Sequence, residues 1–163
     1  MTVDIPAQIQ PFWAAFAATC EQDPRERFFE AFHFDDNAPS ADELAELVLT
    51  GRKRASAALL WAYEDAGKPL PRPGDLSVVT RFDGEPVCVI ETRQVEIVPF
   101  GQVGADFAAT EGEGDGSLAF WRRAHTAYFG RECERLQRVF SEDMPVVCET
   151  FAVVYRAPRT AAP

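Results

Sequence analysis

The chain has 163 residues, with 16 Lys and Arg against 26 Asp and Glu, so its formal net charge is −10. Apolar residues make up 47% and charged residues 26%, which describes a globular chain with room for one ordinary domain and excludes a disordered one. The acidic balance excludes a surface coated in cations that holds nucleic acid by bulk counterion release, but it permits a small basic pocket inside an acidic surface.

No apolar run approaches the roughly 18 residues that span a bilayer. The N-terminus does not read as a secretion signal: Asp4 stands where cations belong, and Gln8, Gln10 and Pro11 interrupt any apolar stretch. None of the four cysteines forms a C-x-x-C pair, and two histidines leave little for a His-rich metal site. Cys88 and Cys148 lie within apolar runs and read as buried small hydrophobes. These features predict a cytoplasmic protein with reduced thiols and no membrane association. Phosphate-loop, dinucleotide-binding and nucleophile-elbow glycine patterns are all missing.

In chain order, Ile5, Ile9, Phe12, Trp13, Phe16 and Cys20 have near-helical spacing. Asp23-Pro24 predicts a second short helix with Phe28, Phe29 and Phe32 on its apolar face. Ser40 with Glu43 reads as a capping box for a helix that ends at Thr50-Gly51. The segment from Ala55 to Tyr63 reads as a further helix. After the turn cluster at Pro71–Asp75 the period changes. Leu76–Phe82 and Pro86–Val98 read as strands joined by an Asp83-Gly84 hairpin. Asp106–Thr110 is a helical turn, and Glu111–Gly116 is irregular. Ser117 caps a helix running to about Leu136, and Pro145–Arg156 is a last strand before a loose tail over 157–163. Helices first, then antiparallel strands with one long helical insertion, predict an α+β class whose few long strands can close into a small barrel.

Three clusters carry chemistry. Arg52-Lys53-Arg54 places three cations after a glycine, and Ser56 stands three residues after Lys53. Arg suits bidentate phosphate contact, and a desolvated Lys beside a hydroxyl activates it as a nucleophile. The alternative is a solvated basic turn. Glu111, Glu113 and Asp115 alternate with glycines ahead of Ser117. One of these carboxylates serves as general acid or base, or they simply favour the following helix N-terminus. Oxygen ligation of a divalent ion is a further possibility, without the calcium-loop pattern. Trp121, Arg122, His125 and Tyr128 form the third cluster, read either as core or as a base-binding face in which His125 titrates near neutrality.

Together these segments resemble the ASCH domain family, in a longer bacterial form. The resemblance runs from about Glu30 to Tyr155. It rests on Ala41–Leu44 leading to Gly51-Arg52-Lys53, on Pro71–Asp75, on Phe107-Ala108 with Glu111–Asp115, Ser117-Leu118 and Trp121-Arg122, on His125 and Phe129, and on Phe140–Met144 before Val147-Cys148-Glu149. It implies one domain with an N-terminal helical extension over about 1–38, a PUA-like β-barrel core over about 39–156 and a tail over 157–163. It also implies RNA or nucleotide binding in a cleft beside the barrel, with some members acting as ribonucleases and some compact ones hydrolysing N4-acylated cytidines through a Lys, a Thr and a Glu. By that resemblance the catalytic positions are Lys53, Ser56 in place of Thr, and Glu111, with Glu113 the fallback. Arg52, Arg54, Glu113, Asp115, Ser117, Trp121, Arg122, His125 and Tyr128 are then candidate substrate contacts. No cofactor is implied and a divalent ion stays open. The expected partner is a short single-stranded RNA, a nucleoside or a nucleotide. The surplus of aromatic residues at Phe12, Trp13, Phe28, Phe29 and Phe32 is consistent with a cover for the cleft or with a homodimer.

Overall fold

The computed structural model describes residues 3–158. Its elements in chain order are α1 (Gln10–Ala17), β1 (Phe28–Phe32), α2 (Ala38–Leu49), β2 (Ala55–Leu59), α3 (Leu60–Ala66), β3 (Leu76–Thr80), β4 (Pro86–Pro99), α4 (Ala105–Glu111), α5 (Leu118–Leu136) and β5 (Pro145–Arg156). The five strands form one mixed sheet in the order β1-β3-β4-β5-β2. Among the described residues no pairing joins β1 to β2, so the sheet is open and the class is α+β.

Most elements follow the sequence signals, and three depart from them. The predicted helix after Pro24 is a single 3-10 turn, and Phe28–Phe32 is a strand paired in parallel with β3. Aromatic residues suit a pleated surface, and β3 supplies hydrogen-bonding groups that no local signal announces. The predicted helix from Ala55 is instead β2 followed by α3. Ala55–Leu59 pairs residue for residue with Thr150–Val146 of β5, so a partner distant in sequence overrides the helix preference of its alanines. The cap of α2 is Asn37, whose side chain accepts the Ser40 N–H at 3.0 Å, with proline in the first turn. Ser40 therefore lies inside the helix. The last residues of the predicted tail, 159–163, lie outside the described residues.

By its contacts the chain divides into two compact units. The first comprises the residues up to Gly51, Gly74–Glu91 and those from Ala152 on. Its core joins Ile5, Ile9, Trp13 and Phe16 to Leu76, Val78 and Val89, with Phe12, Phe28 and Tyr155 packed against them. The N-terminal aromatic residues Phe12, Trp13 and Phe28 are thus used inside the chain.

The second unit comprises Arg52–Pro73 and Thr92–Phe151. It buries Leu59, Phe100, Trp121, Phe129, Cys133, Met144, Val146 and Cys148 in one cluster. Ser117 caps α5 by accepting the Phe120 N–H, as its position predicts. α4 ends at Gly112, which adopts a left-handed conformation at φ 69°. All three chemistry-bearing clusters fall within this unit.

Candidate functional site

Lys53 lies between the end of α2 and the start of β2, and it is only 1% exposed. A bare buried ammonium is costly, so its three protons must find acceptors. They do: Nζ donates to the Ala55 carbonyl at 2.8 Å, to Glu111 Oε2 at 3.0 Å and to Glu113 Oε1 at 2.8 Å. The basic and acidic loops, 58 residues apart at Lys53 and Glu111, therefore meet in one cluster. Burial works against the Lys53 charge, but the Glu111 and Glu113 carboxylates outweigh it and hold its pKa above the ordinary value.

The other oxygen of Glu111 is also occupied. Oε1 accepts the Trp121 indole N–H at 2.7 Å and faces His125 Nε2 at 3.2 Å. Burial alone would raise the Glu111 pKa; Lys53 and His125 together hold it well below the carboxylate range. The other ring nitrogen of His125, Nδ1, lies 2.9 Å from the Trp121 carbonyl. Both nitrogens thus face acceptors, and only the doubly protonated ring can donate to both. Burial opposes that charge, yet the hydrogen bond and charge of Glu111 raise the His125 pKa above its usual value. The His125 ring stacks on Trp121 with centroids 4.1 Å apart, a contact that also favours the cation.

Glu113 differs from Glu111. Its side chain keeps 19% of its surface exposed. Burial and the neighbouring Glu111 raise its pKa against the pull of Lys53. Its loop is held by Arg52, whose Nε donates to the Gly112 carbonyl at 3.1 Å and whose Nη2 donates to the Gly114 carbonyl. Gly112 is required there, because a Cβ would stand 2.1 Å from the Arg52 carbonyl oxygen.

The remaining candidates are more dispersed. Arg54 is exposed beside Lys53, and its backbone bridges Thr110 and Phe151. Asp115 is exposed and accepts the Ser117 N–H at 2.9 Å at the start of α5; the Ser117 side chain and then its backbone N–H lower the Asp115 pKa. Arg122 pairs with Glu142 at 2.8 Å and lies over the Phe100 ring. Tyr128 is half-buried, with its hydroxyl donating to Glu132 at 3.3 Å. Trp121 departs from the expectation of a partly exposed base-stacking ring. It is 2% exposed, because its indole closes the core and donates to Glu111. Ser56 lies in β2 directly opposite Glu149 of β5, and no hydrogen bond joins it to Lys53. Glu149 in turn accepts the hydroxyl of the buried Thr92 at 2.6 Å. Thr92 was invisible to sequence reasoning, since a single threonine in a β-rich stretch carries no signal.

Glu111, Glu113 and His125 also bring one potential ligand atom each within 4.8 Å of one another. Lys53 is the cation that both carboxylates hold in this structure.

The ASCH domain model matches residues 30–155. An ASCH domain from Lactobacillus crispatus JV V101 is 41% identical, covers 93% of this chain and 97% of its own, and superposes with a TM-score of 0.87. Protein EF3133 from Enterococcus faecalis V583 is 29% identical over 91% of this chain and 89% of its own, with a TM-score of 0.80. Among curated proteins there is no match. A family match over most of the length, together with a 41% identical structure of the same family, shows that the chain belongs to the ASCH domain family.

Proposed function

We propose that the chain binds short single-stranded RNA or its nucleotides at the Lys53 cluster and cleaves single-stranded RNA there. The observation that carries this reading is the buried Lys53 ammonium, held between the two carboxylates of the acidic loop with exposed Arg54 beside it. As Glu113 takes up a proton, Lys53 and an imidazolium at His125 are left facing only the Glu111 carboxylate, so the cluster gains a positive excess suited to the charge that develops on a phosphate. The family is generally linked to RNA binding, and a PUA-like cleft belongs to the same reading. The net charge of −10 favours a short ligand over a long polyanion, because only a few cations are available to it. A cytoplasmic setting belongs to this proposal too. Its support is that the four cysteines are all free and that no described helix is long and apolar enough to cross a membrane.

The test is cleavage of an end-labelled single-stranded RNA by the parent and by Lys53→Arg, which keeps the charge but cannot reproduce three convergent bonds from one nitrogen. The expected outcome is a fall in rate of about 10²–10³-fold with an unchanged circular dichroism spectrum. A parent without cleavage, or a variant at the parent rate, rejects the ribonuclease reading.

A second reading is hydrolysis of an N4-acylcytidine amide. It is favoured by the half-buried Ser56 hydroxyl on β2, which has no hydrogen-bond partner among the described residues. Release of cytidine from N4-acetylcytidine separates this reading from the first. Tight nucleotide binding without turnover of either substrate selects a binding module instead.

A further inference from the structure

We propose that Glu113, rather than Glu111, is the residue that exchanges a proton with substrate, and that Glu111 and Arg52 are positioning residues that present it. The inference rests on the ribonuclease reading for its reaction, and on geometry for the choice between the two acids.

Glu111 ends α4, and its carboxylate has no face left for a ligand. One oxygen is held by Lys53 and the other by Trp121 and His125, and the side chain is 2% exposed. Moving a proton onto it would break a three-partner network in the interior. Glu113 stands two residues later on backbone that leaves the helix through left-handed Gly112. Its carboxylate accepts from Lys53 and lies against that of Glu111, and its side chain retains 19% exposure. It is therefore the carboxylate of the cluster that solvent and ligand reach.

The loop around it is fixed. Arg52 grips the carbonyls of Gly112 and Gly114, the residues on either side of Glu113. The close approach of Gly112 to the Arg52 carbonyl leaves no room for a side chain at that point. One guanidinium thus clamps the backbone before and after the acid, an arrangement that orients Glu113 without touching its carboxylate. Asp115, the third acid of the loop, is turned to the Ser117 N–H and takes no part in the cluster.

The titratable groups facing Glu113 are Lys53 ahead of β2 and Glu111 on α4, with His125 of α5 behind Glu111. Lys53 favours the charged form, while burial and Glu111 favour the neutral one; the latter prevail and bring Glu113 closer to neutrality than an ordinary carboxyl. A proton-transfer group works best when its pKa approaches the working pH. In RNA cleavage the Glu113 carboxylate takes the proton of the attacking 2′-hydroxyl as the O2′–P bond forms and the P–O5′ bond breaks. The departing 5′-oxygen takes a proton from water, and the hydroxide so formed removes the proton from Glu113. The products are a 2′,3′-cyclic phosphate and a free 5′-hydroxyl, with no net change in protons.

The test combines carbon-13 NMR titration of the side-chain carboxyls in the full chain with kinetics on single-stranded RNA. Glu113 is expected to titrate above the ordinary glutamate range, while Glu111 stays ionised throughout the pH range in which the fold survives. Glu113→Gln is expected to slow cleavage by about 10²–10⁴-fold, with binding of a 2′-O-methyl oligonucleotide retained and partial recovery in Glu113→Asp. Arg52→Lys is expected to lower kcat and shift the acid limb of the pH profile with KM retained. Cleavage by Glu113→Gln at the parent rate overturns the proposal, as does a titration in which Glu111 changes state and Glu113 does not. If the parent cleaves no RNA, the ribonuclease reading falls, and the titration alone upholds or overturns Glu113 as the proton-exchanging acid.

Discussion

The two units bury their interiors by different means. In the first, Ile5, Ile9, Trp13 and Phe16 meet Leu76, Val78 and Val89, and among the described residues the only buried polar ones are Ser77 and Thr80. In the second, a core of comparable apolar residues carries an ammonium, a carboxylate and an imidazole ring: Lys53, Glu111 and His125. The first kind of interior is held by non-directional burial of area, which is indifferent to salt and to mild changes of pH. The second is held only while each charge keeps its partner, because an orphaned buried ion costs several kcal/mol. The second unit therefore retains a feature that is expensive for stability, and it is the unit that carries the candidate site.

The largest effects that break this comparison are a pair of substitutions. Trp13→Ala and Lys53→Met are each expected to lose about 3–5 kcal/mol of unfolding free energy, the first by leaving a cavity and the second by leaving unpaired buried carboxylates. Their pH dependence separates them. The loss from Lys53→Met shrinks in acid as the carboxyls take up protons, while the loss from Trp13→Ala stays flat, measured by urea unfolding at pH 5 and pH 7.

A smaller effect isolates the backbone. Gly112→Ala forces a Cβ to 2.1 Å from a carbonyl oxygen at φ 69°. It is expected to cost more than the roughly 1 kcal/mol of a left-handed alanine in open space. Gly67→Ala is the control for that value, with φ 62° and no atom within 4 Å of the added carbon. Equal losses in the two variants would show that the approach of Arg52 is not a constraint.

The smallest effect is the contribution of His125 to stability. Its pKa is raised in the folded state, so the stability it confers is complete below the unfolded value and is lost as pH rises through the folded one. Glu113, whose pKa is also raised, acts in the same direction, and the Cys88 and Cys148 thiols, pushed up by burial to about 12, act only above the unfolded thiol range. The decline in thermal midpoint between pH 6 and pH 8 therefore includes the share that His125 confers. His125→Gln is expected to flatten it, and an unchanged slope would show that the ring is not an imidazolium in the folded chain.

Much of the local structure was legible in the residues. Ser117, the Asp83-Gly84 turn and the Val- and Ile-rich run after Pro86 each announce their element because the cause is local: a cap, a turn preference, a pleated apolar surface. β1 and β2 were not legible, because each depends on a partner far along the chain. The alanines of Ala55–Leu59 favour a helix until β5 offers its backbone, and Phe28–Phe32 takes its extended form beside β3.

The chemical inventory of the site was likewise present in the sequence. Three consecutive cations and an acid–glycine loop mark the two segments, and a Lys with a Glu is the pair that opposite charges would favour across a cleft. Only the tertiary structure decided how that inventory is used. Arg52, Lys53 and Arg54 have the same sign and adjacent positions, yet one clamps a loop, one is buried as an ion and one faces solvent. Glu111 and Glu113 are two residues apart, yet one is sealed by three partners and the other stays within reach of a ligand. Composition determines which charges exist. Burial and the distance to the nearest counter-charge determine their protonation and their access, and those quantities arise only when segments distant in sequence are folded together.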